Sequence, residues 1–266
     1  MRSEGGKLGL AGVVLAAGLG TRLRPLTDLL PKALCPVVNV PLLDGALARL
    51  GEVTESIAVN AHHHRQQMER HLDGRAVHLS IEEGEALGTA GALGRLRSWI
   101  DGRPVVLHNA DAWHTADLAP FVEGWDGERI RLLTVPGVGG GAGDFDGRTY
   151  AGVALLPWRD VEPLDETPSG LWEVSWRQAH ADGRVETFAH GGAWFDTGTP
   201  ATYLAANLAA NGGESVVAPE ADVDPTAVLT RSLVWPGGIV DAGEELVEQI
   251  RAPGPLTVAA PQGGRP

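Results

Sequence analysis

Residues 12–36 of the chain read GVVLAAGLGTRLRPLTDLLPKALCP, and this stretch decides the fold. The run VVLAA at 13–17 is apolar and uncharged, which is typical of a short strand buried on both faces. Gly18 and Gly20 follow at once. Two glycines one residue apart let the backbone turn sharply and bring its N–H groups close to an anion. The stretch therefore predicts a buried strand that ends in an anion-binding turn.

Hydroxyl and basic side chains surround this turn. Thr21 adds a hydroxyl donor, and Arg22 adds a planar guanidinium that matches phosphate oxygens. Lys32, one of only two lysines in the chain, places a mobile ammonium near the end of the stretch. A glycine turn alone is equally typical of an ordinary tight turn. Together with these donors it favours a site for a polyphosphate.

The same stretch resembles the signature of the sugar-1-phosphate nucleotidyltransferases, which runs LAAGxGTRLxPLT followed by PK. Residues 15–27 fit the first part without a gap, and residues 31–32 supply the second. The resemblance implies an α/β fold: a Rossmann-like nucleotidyltransferase domain with a mixed, mostly parallel sheet and helices on both faces. It also implies transfer of a nucleoside monophosphate from a nucleoside triphosphate to a sugar 1-phosphate, with release of pyrophosphate.

A second informative stretch is EEGEALGTAGALGRL at 82–96. Its small residues at 88–91 predict a helix start, with Thr89 as the cap. A Gly/Ala-rich helix packed closely on the sheet is the alternative interpretation. LGTAGAL resembles the family's nucleobase-binding segment, most nearly in the mannose-1-phosphate guanylyltransferase branch. The GDF at 143–145 resembles a segment of the uridylyltransferases that act on N-acetylmuramate 1-phosphate.

Two aspartates, Asp111 and Asp196, are the candidate metal ligands. Asp111 comes just after the run at 104–107, and open α/β sheets bind ligands at the carboxyl ends of their strands. It matches the family's metal-binding aspartate. The segment WFDTGTP at 194–200 resembles W-x-D-[IVT]-G-T-P, in which the aspartate, here Asp196, is the second metal ligand. The resemblance therefore implies a Mg²⁺ site.

The resemblance and the side-chain chemistry together assign a role to each candidate residue. The expected catalytic residues are Arg22 and Lys32; the nucleotide-binding residues are Ala16, Ala17, Gly18, Gly20, Thr21, Gly88 and Thr89; the sugar-binding residues are Asn109, Gly152 and Glu173; and the Mg²⁺ ligands are Asp111 and Asp196. Many members also carry an E-K-P segment before the sugar-contacting strand. This chain has no lysine there, so the contact is missing or comes from an arginine such as Arg148.

The chain divides into three parts on its sequence pattern. We expect a catalytic domain over 8–212. Over 215–251, apolar residues at intervals of six predict a short left-handed β-helix-like segment of about two coils; they are Val217, Val223 and Leu229 in one phase and Val228, Val234, Val240 and Leu246 in another. Residues 252–266 are rich in proline and glycine, which predicts a disordered tail.

The composition limits the class of partner. The 266 residues carry a net charge of −13, which argues against binding to nucleic acid or to an anionic membrane. The single cysteine, Cys35, allows no disulfide within the chain and favours the cytoplasm. No apolar run reaches the roughly 18 residues of a membrane span. The expected partners are a nucleoside triphosphate and a sugar 1-phosphate. The sequence also allows a homo-oligomer.

Two other functions are compatible with part of the sequence pattern. A dinucleotide-dependent oxidoreductase would also use a glycine-rich first turn, but it needs G-x-G-x-x-G, and here Gly20 is followed by Thr21-Arg22-Leu23. A catalytically silent, nucleotide-sugar-binding regulatory subunit would keep the fold and lose signature residues. Since the signature residues are intact, the sequence favours an active enzyme. The base and sugar stay open among guanylyl, uridylyl and thymidylyl transfer.

Overall fold

The computed structural model describes residues 9–137, 145 and 147–262, and a seven-stranded sheet lies at its centre. The apolar runs of the sequence form its strands. In chain order the first eleven strands are β1 (Ala11–Leu15), β2 (Pro36–Val37), β3 (Val40–Pro41), β4 (Ile57–Ala61), β5 (His78–Ile81), β6 (Val105–Asn109), β7 (Ala112–His114), β8 (Ile130–Pro136), β9 (Arg148–Leu156), β10 (Val185–Ala189) and β11 (Trp194–Asp196).

The central sheet is mixed and mostly parallel, as predicted. Its order is β10-β8-β9-β6-β1-β4-β5, and β9 runs antiparallel to both of its neighbours while the other pairs are parallel. Leu15 at the end of β1 lies in register with Asn60 of β4 and Asn109 of β6. Three central strands therefore end at one edge of the sheet, and the polar residues that follow them meet there.

Helices cover both faces of this sheet. They are α1 (Leu26–Leu29), α2 (Leu42–Val53), α3 (Arg65–Leu72), α4 (Gly88–Ile100), α5 (Leu118–Val122), α6 (Trp158–Val161), α7 (Arg177–Ala181) and α8 (Pro200–Ala210). On one face α2 and α3 bury Leu50 and Met68, and on the other α4 buries Leu93 and Leu96. None of the helices in the described part of the chain is long and apolar enough to span a bilayer.

One pair of tryptophans departs from the expected packing. Trp172 and Trp176 are four residues apart, which predicts that both lie on the buried face of a helix. Trp176 is buried, but Trp172 is 40% exposed. The reason is that residues Trp172–Trp176 form a π-helical turn. Its wider turn does not place residues four apart on one face.

The last part of the chain forms short parallel ladders. Its strands are β12 (Val216–Val217), β13 (Asp222–Val223), β14 (Val228–Thr230), β15 (Leu233–Val234), β16 (Ile239–Val240), β17 (Glu245–Val247), β18 (Gln249–Arg251) and β19 (Thr257–Ala259). The ladders β12-β15-β18, β13-β16 and β14-β17 are parallel, with each residue paired to the one 17 positions on, as in Val216 with Leu233. This arrangement is consistent with the predicted β-helix-like segment.

The interior of these coils differs by one residue from the predicted phase. Val234, Val240 and Leu246 form a buried cluster, as their spacing of six predicts. Val228 was expected to join them but is 50% exposed, and Leu229 packs against the cluster instead. The physical reason is a coil of 17 residues, so the interior position steps by five between Leu229 and Val234.

The predicted disorder of 252–266 is wrong for residues 252–262. Thr257–Ala259 pairs antiparallel with β18, and Val258 and Ala260 pack into a cluster with Tyr203 of α8. The Gln262 side-chain amide donates to the Ala201 carbonyl at 3.0 Å. Apolar residues within this Pro/Gly-rich stretch are therefore held by a strand edge and a helix that the local composition does not reveal. Residues 263–266 lie outside the described part.

Candidate active site

Two cavities open at the sheet edge where the central strands end. The glycine-loop cavity has a volume of about 220 Å³ and is lined by Leu15, Ala16, Ala17, Gly18, Lys32, Ala33, Asn60, Ala86, Gly88, Thr89, Asn109, Ala110 and Asp111. The β9 cavity has a volume of about 260 Å³ and is lined by Arg22, Asn109, Asp111, Ala112, Thr149, Tyr150, Gly152, Trp194 and Asp196. The two cavities share Asn109 and Asp111.

The glycine turn after β1 packs directly onto the stem of Lys32. Gly20 has a φ of +62°, and a Cβ there would lie 2.8 Å from Thr27 Cγ2 and 3.1 Å from Lys32 Cβ. Only glycine fits this contact and this dihedral angle. The Thr27 hydroxyl donates to the Gly20 carbonyl at 2.9 Å and fixes the turn. The turn and the lysine are therefore held as one unit.

Four charged side chains converge between the cavities. Lys32 Nζ lies 2.6 Å from Asp111 Oδ2 and 3.7 Å from Asp196 Oδ1, and the Arg22 guanidinium lies 3.5 Å from Asp196 Oδ2. The Lys32 side chain is only 9% exposed, whereas the two carboxylates are 41% and 46% exposed. The ammonium is thus enclosed between two carboxylates that face the open site. This arrangement places the predicted catalytic and metal-binding residues together.

The two aspartates meet because their strands pair. β7 runs antiparallel to β11, with Asp196 opposite Ala112. The Thr197 hydroxyl donates to the Asp111 carbonyl at 2.8 Å, which ties the second motif to the first. Among the described residues no group of three or more His, Cys, Asp or Glu side chains is placed to hold a metal. Two open carboxylates still suit Mg²⁺, which commonly takes one or two of them and completes its shell with phosphate and water oxygens.

The start of α4 is held by a distant segment, so the predicted role of Thr89 as a helix cap is wrong. No side chain caps this helix at Leu87. The Thr89 hydroxyl instead accepts from the Leu171 backbone N–H at 2.8 Å, and the Ala90 N–H donates to the Ser169 carbonyl at 3.0 Å. These contacts hold Gly88 and Thr89 against the glycine-loop cavity.

Gly152 brings β9 close to β7. It has a φ of +90°, and a Cβ there would lie 2.4 Å from Ala112 Cβ.

Arg148, the alternative to the missing E-K-P lysine, lines neither cavity. Its Nε donates to the Thr134 hydroxyl at 2.8 Å, within the sheet. Arg148 therefore does not take the place of that lysine, and the β9 cavity is lined instead by Thr149, Tyr150 and a different arginine, Arg22.

The predicted site residues are distributed over the two cavities, with Lys32 in the glycine-loop cavity, Arg22 in the β9 cavity, and Asn109 and Asp111 in both. The nucleotide-binding set Ala16, Ala17, Gly18, Gly88 and Thr89 lines the glycine-loop cavity, and Gly152 and Asp196 line the β9 cavity. Three predicted residues line neither: Gly20, Thr21 and Glu173, the last exposed on the π-helical turn. Their roles stay predictions.

Several residues that line the cavities are not marked as site residues by the sequence motifs. The most informative is Asn60, which is 3% exposed and accepts from the Ala16 N–H at 2.6 Å. The signal available was its place at the end of an apolar run, as for Asn109. Tyr150 and Trp194 were also missed as cavity walls. They lie beside Gly152 and Asp196, which the motifs do mark.

Two buried histidines, His108 of β6 and His114 of β7, contact each other. The Ala116 N–H donates to His114 Nδ1 at 3.1 Å, so His114 carries its proton on Nε2, which lies 3.1 Å from His108 Nε2. Burial lowers the pKa of His108 to about 4. Burial and the neighbouring His108 lower that of His114 to about 2. Both rings are therefore neutral near pH 7.

Comparison with known proteins agrees with this geometry. The model of the Nucleotidyl transferase family matches residues 11–135. An N-acetylmuramate alpha-1-phosphate uridylyltransferase of Caulobacter vibrioides is 31% identical over 73% of this chain and 94% of its own length. A mannose-1-phosphate guanylyltransferase of Mycobacterium tuberculosis is 26% identical over 91% of this chain and 78% of its own length.

A solved structure extends the likeness in fold. The crystal structure titled mannose-1-phosphate geranyltransferase, from Thermus thermophilus, superposes with a TM-score of 0.71 at 17% identity and covers 94% of both chains. It therefore resembles this chain through the C-terminal ladders as well as the central sheet. The motifs, their meeting point at the sheet edge and these relatives lead to one conclusion: the chain belongs to the sugar-1-phosphate nucleotidyltransferase family.

Proposed function

We propose that the glycine-loop cavity binds the nucleoside triphosphate and the β9 cavity binds the sugar 1-phosphate. The observation that carries this proposal is the sharing of Asp111 and Asn109 by both cavities. Two substrates bound in this way would bring their phosphates together at one carboxylate. In-line transfer between two phosphates needs this proximity more than it needs a protein nucleophile.

The reaction then proceeds without a covalent enzyme intermediate. A phosphate oxygen of the sugar 1-phosphate attacks the α-phosphorus of the nucleoside triphosphate. The bond from that phosphorus to the oxygen bridging the α and β positions breaks, and pyrophosphate leaves. Lys32, enclosed between the two carboxylates, holds the reacting phosphates. Arg22 lies on the β9 side and neutralises charge as it develops.

Mg²⁺ is the cofactor we propose for Asp111 and Asp196. Bound there, it would neutralise phosphate charge and act as a Lewis acid. The two carboxylates are already drawn together by Lys32 Nζ, at 2.6 and 3.7 Å. In a chain of net charge −13, the site needs this local positive charge to admit two polyanions.

For the substrates, we propose GTP and mannose 1-phosphate as the first pair. LGTAGAL at 87–93 supports it, and the mycobacterial relative carries the matching name. UTP with N-acetylmuramate 1-phosphate is the second pair, supported by the name and the higher identity of the Caulobacter relative. The GDF at 143–145 falls largely outside the described residues and adds nothing structural.

The test is a screen of pyrophosphate release. Each of GTP, UTP, dTTP and ATP is combined with a panel of sugar 1-phosphates in the presence of MgCl₂. The proposal expects one triphosphate and one sugar 1-phosphate to give turnover well above every other combination, and no turnover with EDTA. Turnover that does not depend on a sugar 1-phosphate would contradict it.

A further inference from the structure

Two polar side chains beside the glycine-loop cavity have no part in the roles proposed above. Asn60 stands near the end of β4, and Glu82 directly follows β5. Each residue is only 3% exposed. A buried amide and a buried carboxylate are costly unless every polar atom is hydrogen-bonded. Their partners therefore show what the pair does.

Asn60 and Glu82 form the middle of a continuous hydrogen-bonded chain. Asn60 Oδ1 accepts from the Ala16 N–H at 2.6 Å, and Asn60 Nδ2 donates to Glu82 Oε1 at 2.6 Å. Glu82 Oε2 accepts from the Leu87 N–H at 2.8 Å. The two ends of the chain are thus backbone groups from two segments far apart in sequence.

Both ends lie at the nucleotide side of the site. Ala16 opens the glycine turn, and Leu87 directly precedes Gly88 and Thr89 at the start of α4. Ala16, Gly88, Thr89 and Asn60 itself all line the glycine-loop cavity. The hydrogen-bonded chain therefore joins the two segments that the proposed function assigns to the nucleotide.

The direction of each hydrogen bond is fixed by chemistry. A backbone N–H only donates, so the oxygen of Asn60 must face Ala16 and its NH₂ must face Glu82. Both oxygens of Glu82 then accept. A carboxylate meets this demand with both atoms, whereas an amide at position 82 would present an NH₂ to another donor. This series of hydrogen bonds therefore requires an amide at position 60 and a carboxylate at position 82.

We infer that Asn60 and Glu82 are positioning residues that lock the glycine turn and the start of α4 in the geometry that binds the nucleoside triphosphate. This inference rests on the proposed function of the glycine-loop cavity. Neither residue supplies a group to the reaction. Breaking the chain leaves a buried donor or acceptor unpaired, and the two segments then move apart or admit water.

The hydrogen-bonded chain can be broken and rebuilt with near-isosteric substitutions. Glu82→Gln places an NH₂ against a donor, and Asn60→Asp places two carboxylate oxygens against each other. The double variant Asn60→Asp/Glu82→Gln restores all three hydrogen bonds. In it, the new carboxylate accepts from the Ala16 N–H and from the new amide, whose oxygen accepts from the Leu87 N–H. The net charge also equals that of the wild type.

The experiment measures the Kd of GTP and of UTP for the full chain by titration calorimetry, together with KM for both substrates and the thermal midpoint. For the triphosphate that turns over, we expect each single variant to raise Kd and KM at least tenfold. The double variant should return to within about threefold of wild type. The KM of the sugar 1-phosphate should change less than threefold throughout.

A matched control is Asp160→Asn. Asp160 is also a buried carboxylate, 9% exposed, and accepts from the Arg184 guanidinium at 3.0 Å away from both cavities. We expect it to lower the thermal midpoint and to leave nucleotide affinity unchanged. The contrast separates a positioning role from a general loss of stability.

Two results would overturn the inference. One is that the single variants lower the thermal midpoint and leave the Kd and KM of the triphosphate unchanged. The hydrogen bonds of Asn60 and Glu82 would then contribute to stability only. The other is that the double variant binds no better than the weaker single variant. Failure of the proposed function would give a different result, because the wild type itself would then release no pyrophosphate with any pair of substrates.

Discussion

The two cavities share Asp111 but differ in the types of residue that line them. The glycine-loop cavity has many small lining residues, such as Ala16, Gly18 and Gly88, whose side chains leave the backbone accessible. The β9 cavity is lined by charged, hydroxyl and aromatic side chains, among them Arg22 and Tyr150. Backbone N–H groups suit phosphates, which all nucleoside triphosphates share, whereas side chains select among sugars. The difference explains why the signature motifs identify the reaction and leave the sugar open.

Replacement of the shared residue should have the largest effect. Asp111→Ala removes a carboxylate on which both cavities and the proposed Mg²⁺ site depend. We expect kcat to fall by about 10³-fold or more, because the charge stabilisation lost is several kcal/mol. The measurement is pyrophosphate release, with circular dichroism to show that the fold is kept. Activity above about a tenth of wild type would remove Asp111 from the metal site.

Lys32→Ala should have the next largest effect. The ammonium lies 2.6 Å from Asp111 and is enclosed, so no solvent cation replaces it in the same geometry. We expect a loss of about 10²-fold in kcat. Single-turnover kinetics at saturating substrate are the appropriate measurement. An unchanged chemical step would place Lys32 outside the reaction and leave it as a structural ion pair.

The motif residues that meet at this shared centre could be picked out from the sequence because each motif is local. Residues 15–32, 87–93 and 194–200 each carry their own turn, cap or strand-end geometry, and the parallel sheet brings their ends to one edge. The family resemblance of these motifs implies the α/β class and the mixed sheet, both of which the structure has, and it implies that Asp111 and Asp196 lie together, as they do beside Lys32. Thr199 caps α8 in the same local way, with its hydroxyl accepting from the Thr202 N–H at 3.2 Å.

Features that depend on distant partners could not be predicted. The Thr89 hydroxyl is used by Leu171, which lies 82 residues further along the chain. Asn60 and Glu82 acquire meaning only when Ala16 and Leu87 are placed beside them. The strand at Thr257–Ala259 forms because β18 offers an edge and α8 an apolar surface, and neither is visible in the composition of the tail.

Acid should lower the stability of the fold through the buried histidine pair. His108 is buried neutral with a pKa lowered to about 4, against an ordinary value near 6.5. Below pH 6.5 the unfolded chain binds a proton that the folded chain does not, so the free energy of unfolding falls as pH drops from about 6.5 towards 4. At pH 5 the loss for this one residue is about 2 kcal/mol.

Urea unfolding at pH 7 and pH 5 measures this effect. His108→Gln, which removes the titrating ring, should show a smaller loss of stability between the two pH values than the wild type. An equal loss in both proteins would assign the acid sensitivity to other groups.

The most direct test of the account is a comparison of one small change in each cavity. Gly18→Ala adds a methyl group to the glycine-loop cavity, where a Cβ at this position meets no protein atom within 4 Å. Thr149→Val removes a hydroxyl from the wall of the β9 cavity without changing the shape of the side chain. Neither change should impair folding, so each KM reports on its own substrate.

The measurement is the KM of both substrates for these two variants. We predict that Gly18→Ala raises the KM of the nucleoside triphosphate about tenfold, because the added methyl group crowds the bound nucleotide. Thr149→Val should raise the KM of the sugar 1-phosphate by a similar factor, because one hydrogen bond is lost, and each variant should leave the other KM within about twofold. If both variants raise the KM of the same substrate, the two cavities do not hold two different substrates and the account is contradicted.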